Sequence, residues 1–195
     1  MADTEQLSVT VTGSVMAGGR SARMGQDKAA LVLGDKPMGG WVRDALAAAD
    51  VDSVVLAGGS ASLGRDLDLD VVPDLVPGKG PLSALHALMT RFDAVVVVPC
   101  DVPLITTDVI NSLIASWRTS GADVAFATRE GADEPLVSVW LSSTCLPVVQ
   151  RHLDRNDLAV HGLFDQLTTC AVDSDPAKLV NVNTLAEFEE LVSGL

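Results

Sequence analysis

Six short apolar runs recur along the chain, at Val9 to Met16, Ser53 to Ala57, Leu69 to Val72, Ala94 to Pro99, Asp123 to Thr128 and Leu136 to Trp140. Runs of this length with little polar alternation are the pattern of strands covered on both faces. Between them, apolar residues fall at helical spacing over Met38 to Ala49, Pro81 to Arg91, Thr107 to Ser120 and Ser142 to Leu153. Thr184 followed by Glu187 reads as a capping box that opens a last helix to Val192. Strand and helix in alternation predict a doubly wound α/β fold, Rossmann-like and three-layered, with a mainly parallel sheet. With no repeat, low-complexity stretch or linker, residues 1–195 read as one domain, in which 1–8 are expected to be disordered.

Composition narrows the function. A hydrophobic share of 48% supports a sizeable core, and a formal net charge of -13 makes the surface as a whole repel phosphate backbones. A broad nucleic-acid or anionic-membrane footprint is therefore not expected. A small phosphorylated ligand remains compatible, provided that the few basic residues are gathered locally. Cys100, Cys145 and Cys170 are odd in number and widely spaced, which offers neither a zinc motif nor a disulfide framework. The polar start, Met1 to Gln6, lacks the features of a signal peptide, and no apolar run approaches the ~20 residues of a membrane helix. A cytoplasmic protein is expected.

In open α/β sheets, ligands collect at the carboxyl ends of the strands. The segment after the first strand, Met16-Ala17-Gly18-Gly19-Arg20-Ser21-Ala22-Arg23-Met24-Gly25-Gln26-Asp27-Lys28, holds three glycines and three of the thirteen basic residues. Consecutive amides in such a turn form an anion-binding nest, to which Arg20, Arg23 and Lys28 add charge. A plain strand-to-helix turn with solvated side chains is the alternative; the concentration of cations in so acidic a chain favours phosphate. No Walker Lys-Ser or Lys-Thr follows, and Gly78-Lys79-Gly80 runs into Pro81 without the third glycine of a dinucleotide fingerprint.

Three further strand ends carry suggestive residues. Asp74 follows the third run, and Pro81 after Gly78-Lys79-Gly80 suits a first helical position whose amides would face an anion. Asp101 follows the uniformly apolar run Ala94 to Val98. A carboxylate there is costly unless a positive group meets it, and magnesium shared with substrate phosphates meets that need. A turn or capping role is the alternative, but Thr106 and Thr107 are better placed to cap the next helix. Asn181 and Asn183 alternate before the last helix, as groups able both to accept from amides and to donate to a phosphate or heterocycle. His86, His152, His161 and the tryptophans at 41, 117 and 140 read as structural.

From Gly13 to about Phe188 the chain resembles the molybdenum cofactor guanylyltransferases, the MobA-like branch of the nucleotidyltransferases. Their signature, Leu-Ala-Gly-Gly, a basic residue, Arg-Met-Gly and an Asp-Lys pair, is matched here from Ala17 to Lys28, with Met16 in place of the leucine. The resemblance implies a fold of the nucleotide-diphospho-sugar transferase type and transfer of GMP from GTP to molybdopterin, with magnesium as cofactor. It implies nucleotide contacts at Met16, Ala17, Gly18, Gly19, Lys28, Asp74 and Asp101, catalytic roles for Arg23, Lys28 and Asp101, the metal on Asp101, and acceptor contacts at Asn181 and Asn183. Transient contact with cofactor delivery proteins or molybdoenzymes would follow. Two departures stand out: Ala57-Gly58-Gly59 where the family tends to have an Asn, and an acidic segment, Asn156 to His161, where it tends to carry a base. A cytidylyltransferase for the same pterin, a relative acting on a phosphosugar or phospholactate, and a catalytically silent nucleotide-binding regulator remain alternatives.

Overall fold

A computed structural model of the chain describes residues 9–17, 28–182 and 185–193. The first strand, β1 (Val11–Ala17), is buried along its whole length because it lies between two others. A small hairpin, β2 (Val32–Leu33) and β3 (Lys36–Pro37), leads into α1 (Met38–Ala47), β4 (Ser53–Gly58), α2 (Ala61–Leu67), β5 (Asp70–Val72) and α3 (Pro81–Met89). The chain continues as β6 (Ala94–Pro99), α4 (Thr107–Ser120), β7 (Val124–Arg129), β8 (Ala132–Leu141), α5 (Ser142–Asp154), β9 (Thr169–Asp173) and α6 (Leu185–Ser193).

Seven strands form one sheet in the order β5-β4-β1-β6-β8-β7-β9. All neighbours are parallel except β8, which runs against both β6 and β7. The sheet is therefore mainly parallel, as expected, and helices cover both faces. Alternate residues of β6 show why a continuous apolar run was needed. Ala94, Val96 and Val98 pack with side chains of α1, α2 and α4, whereas Val95 and Val97 pack with those of α3 and α5.

The reversal of β8 has a local cause. β7 and β8 are joined by Glu130 and Gly131, both at positive φ (52° and 81°), the two-residue turn that suits the strands' twist. Ala132 to Pro135 are exposed or half-buried and form no apolar run, so the expected strand began only at Leu136. A bulge falls in the same stretch: the register slips between Phe126↔Ser138 and Ala127↔Glu134, around Pro135, which lacks an N–H for the ladder. Two more elements were not expected. α2 is only seven residues long, started by Ser60, whose Oγ accepts from the Leu63 N–H at 3.1 Å. β9 lies at the sheet edge with alternating exposure, so it has no continuous apolar run.

Candidate active site at the carboxyl edge of the sheet

Sheet order reverses at β1: the chain moves outward to β4 and β5 and then returns through α3 to β6 on the other side. Crevices form at the carboxyl ends of strands flanking such a reversal. Ala17 ends β1 there, Asp74 stands two residues beyond β5, and Asp101 two residues beyond β6. Gly18, Gly19, Arg20, Arg23 and Asn183 lie outside the described residues, as does the side chain of Lys28, whose backbone opens a 3-10 turn, Lys28–Ala30. The expected capping Thr184 also lies outside them.

Met16 is 4% exposed and packs among the core residues on the α3 and α5 face, so only its backbone could face a ligand. Its carbonyl accepts the Cys100 N–H at 3.0 Å, tying β1 to the Asp101 turn. Beside Ala17, Gly59 explains why the β4 end carries no larger residue: a Cβ there would come 3.2 Å from Leu63 Cδ2 and 3.4 Å from the Ala17 carbonyl oxygen, at a φ of +73°.

Asp74 is half-buried, with Oδ1 enclosed and lacking a hydrogen-bond partner. Burial pushes its carboxyl above the ordinary aspartate value. An enclosed acceptor at the mouth of a crevice is suited to a hydroxyl or amine donor from a ligand. Just beyond it, the Val76 N–H donates to the fully buried Ser83 Oγ at 3.2 Å, which fastens the loop to α3. Gly80 precedes Pro81 with φ 61° and ψ -150°, a region open essentially to glycine alone. No heavy atom lies within 4 Å of where its Cβ would be, so glycine is required for the turn and not for room.

Asp101 sits in a turn closed by the Val102 N–H donating to the Pro99 carbonyl. Its own carbonyl accepts the Val182 N–H at 2.8 Å, which brings half-buried Asn181 to the same edge. The threonine caps expected for the following helix are not made by side chains. Thr106 has the extended backbone of a cap residue without the bond, and Thr107 Oγ1 instead donates to the Ala45 carbonyl, joining α4 to α1.

Because β8 is antiparallel, its beginning lies at this edge, and α5, which follows it, returns there at its end. Three side-chain pairs lie at this edge. Arg129 Nη2 pairs with Glu134 Oε1 at 2.8 Å, and Nη1 donates to the Leu179 carbonyl at 3.1 Å, holding the segment that leads to Asn181. His161 Nε2 lies 2.9 Å from Asp133 Oδ2, and Lys79 Nζ donates to Asn156 Oδ1 at 2.5 Å. The His161–Asp133, Lys79–Asn156 and Arg129–Leu179 contacts span long sequence separations and leave no signature in spacing. His86 is half-buried and its Nδ1 is enclosed without a partner. Trp140 and Trp117 are core residues, and Trp41 donates from Nε1 to the Leu33 carbonyl. Burial pushes the Cys145 thiol up to about 12, too high for nucleophilic duty.

Among the described residues, no three His, Cys, Asp or Glu side chains converge as a metal cage. No described helix is long and apolar enough to cross a membrane.

Residues 13–170 match the model of the MobA-like NTP transferase domain. A protein of Pelotomaculum thermopropionicum named probable molybdenum cofactor guanylyltransferase is 33% identical over 184 residues, 91% of this chain and 83% of that one. A protein of the same name from Carboxydothermus hydrogenoformans is 30% identical over 192 residues, 93% of this chain and 95% of its own. Among solved structures, molybdopterin-guanine dinucleotide biosynthesis protein A from Archaeoglobus fulgidus superposes with a TM-score of 0.79 at 18% identity, covering 93% and 97% of the two chains. That last likeness is one of fold.

Proposed function

The chain belongs to the MobA-like NTP transferase family of nucleotidyltransferases, and on that premise we propose that it transfers GMP from GTP to the terminal phosphate of molybdopterin. An acceptor phosphate oxygen forms a bond to the α-phosphorus as the bond to the bridging oxygen breaks, and pyrophosphate leaves. The product is molybdopterin guanine dinucleotide. Little covalent chemistry falls to the protein, so alignment and charge neutralisation carry the rate.

One observation supports this reading most directly: Ala17 ends β1, Asp74 and Asp101 follow β5 and β6 at the same carboxyl edge of the parallel strands, and the Val182 bond closes the Asn181 segment onto the Asp101 turn. In this reading the amides from Ala17 through Gly18 and Gly19 bind the triphosphate, and Arg23 and Lys28 neutralise transition-state charge. Asp74 accepts from the nucleoside through its enclosed oxygen. Asn181 and Asn183 face the acceptor. Asp101 would hold magnesium; a single carboxylate fits that ion, which keeps waters and takes further oxygens from substrate phosphates. When bound, the ion supplies positive charge to the triphosphate. The work would be done in the cytoplasm, with the product passed to delivery proteins or molybdoenzymes.

The test is pyrophosphate release by the full chain with magnesium and molybdopterin, with GTP, CTP, ATP and UTP in parallel. GTP-dependent release requiring molybdopterin is expected. Preference for CTP would make it a cytidylyltransferase, and binding of an NTP without release from any of them would make it a silent regulator.

A further inference from the structure

Most described side-chain cations with a charged partner are engaged away from the crevice or within its wall. Lys36 and Arg43 pair with Asp44, Arg118 with Asp50, and Arg129 with Glu134. Lys79 differs. It lies in the loop between Asp74 and α3, at the carboxyl edge, and among the described residues its ammonium makes one hydrogen bond, to the neutral amide oxygen of Asn156, and no ion pair. Its charge is therefore held in place without being neutralised, on an edge that also carries Asp74, Asp101, Asp133 and Glu134.

The hold is built into the end of α5. Asn156 adopts φ 56°, and two bonds, Asn156 N–H to the Leu153 carbonyl and Asp157 N–H to the His152 carbonyl, close the helix around it. This is the left-handed helix stop in which asparagine replaces glycine. A second set of contacts fixes the His152 ring beside Asp157. Arg151 Nη2 donates to Gln166 Oε1 at 3.1 Å, which turns the amide nitrogen of Gln166 toward His152 Nε2, 2.7 Å away. Nε2 must then accept, so the proton is assigned to Nδ1. Nδ1 lies 3.2 Å from Asp157 Oδ2, within ion-pair distance although off the line of a good hydrogen bond.

We propose that Lys79, presented by Asn156, receives the phosphate of the acceptor substrate. The assignment rests on the transfer reaction proposed above. A phosphate monoester dianion would displace or share the Asn156 contact and gain a charge-assisted bond.

Two readouts separate this assignment from the reaction itself: molybdopterin binding without nucleotide, followed by pterin fluorescence, and steady-state turnover with GTP. Lys79→Met should weaken molybdopterin binding and raise its KM by about tenfold or more, leaving the KM for GTP within about twofold. Lys79→Arg should recover most of the loss. Arg91→Met, at the opposite edge of the sheet, should change neither. Asn156→Asp is the sharper variant. If the Lys79 contact were only structural, a carboxylate would strengthen it harmlessly; if Lys79 serves the acceptor, the new ion pair should weaken molybdopterin binding while the melting temperature holds or rises. Unchanged molybdopterin affinity in Lys79→Met, or a loss confined to GTP, overturns the assignment and leaves the reaction standing. Binding without turnover in the wild type overturns the reaction, with Lys79 then decided by the binding series. A wild type that does not bind molybdopterin overturns both.

Discussion

Replacing Gly80 by alanine perturbs the turn between Asp74 and α3 without touching any side chain. At φ 61° and ψ -150° an L-residue is strained by about 1–3 kcal/mol. Nothing lies within 4 Å of the added Cβ, so no clash adds to this. Stiffening of the unfolded chain by alanine opposes the strain and offsets roughly 0.4–1 kcal/mol of it. The strain is the larger effect at these angles, and a net destabilisation of about 1–2 kcal/mol is expected. For a chain of 195 residues that corresponds to a melting temperature lower by roughly 2–8 °C. Gly121→Ala provides the comparison. It lies in the ordinary left-handed region, φ 66° and ψ 18°, where strain is about 1–2 kcal/mol, so its shift should be smaller. The surroundings of Gly80 are open, and the loop can relieve strain by moving, which would carry Lys79 away from Asn156. Thermal unfolding is therefore read beside molybdopterin affinity. A variant with both the wild-type melting temperature and wild-type affinity would refute the claim that this backbone conformation matters.

Four other outcomes are expected. Asp101→Asn should abolish pyrophosphate release with the melting temperature within about 2 °C of wild type, because the amide keeps the shape and loses the charge. Asp74→Asn should weaken GTP binding while stabilising the apo chain at neutral pH by under about 1 kcal/mol, given its partial exposure; since burial raises the folded pKa, the wild type's deficit should shrink as pH falls toward the acid range. Gly64→Ala should lower the melting temperature despite alanine's better helix propensity, since the added Cβ would meet Val71 Cγ2 within van der Waals contact and the Leu69 carbonyl oxygen at 3.0 Å, an overpacking worth about 1–3 kcal/mol. For Asp123, burial pushes the carboxyl up, but bonds from Thr168 and Thr144 outweigh it and hold it below the ordinary value; its stabilisation is full above the unfolded aspartate value and is lost as pH falls through the folded one, so Asp123→Asn should lose less melting temperature than wild type between pH 6 and about pH 3.

What could be read in the sequence follows from how each part is held. Strands buried on both faces carry mostly apolar residues, and β1, β4 and β6 accordingly announce themselves, together with the polar residues just past their ends. Asp74 and Asp101 are legible because an acid directly after such a strand is conspicuous. The other wall of the crevice is not. Lys79 and Asn156 are 77 residues apart, and Arg129 reaches the Leu179 carbonyl across 50, through side chains that would look solvated in any exposed loop. Whether they face the crevice depended on the direction of β8, and that turned on two residues, Glu130 and Gly131, whose conformation has no apolar signal.

The same contrast bears on how the crevice can change. The β1, β4 and β6 wall rests on side chains such as Val15, Leu56, Val96 and Val98, all fully buried, where loss of a few methylenes costs about 2–5 kcal/mol. The ends of those strands, and hence the positions of Ala17, Asp74 and Asp101, are not free to drift without unfolding the sheet. The opposite wall is joined by partly exposed pairs, Lys79 with Asn156, Arg129 with Glu134 and His161 with Asp133, of a kind worth roughly 0–1 kcal/mol each. Exchanging one of those residues alters the charge presented to a ligand at little cost in stability. Such a division lets the acceptor side vary while the nucleotide side is kept, so replacing Lys79, with Asn156 kept at its left-handed helix stop, should move acceptor preference and leave both the melting temperature and GTP affinity near wild type.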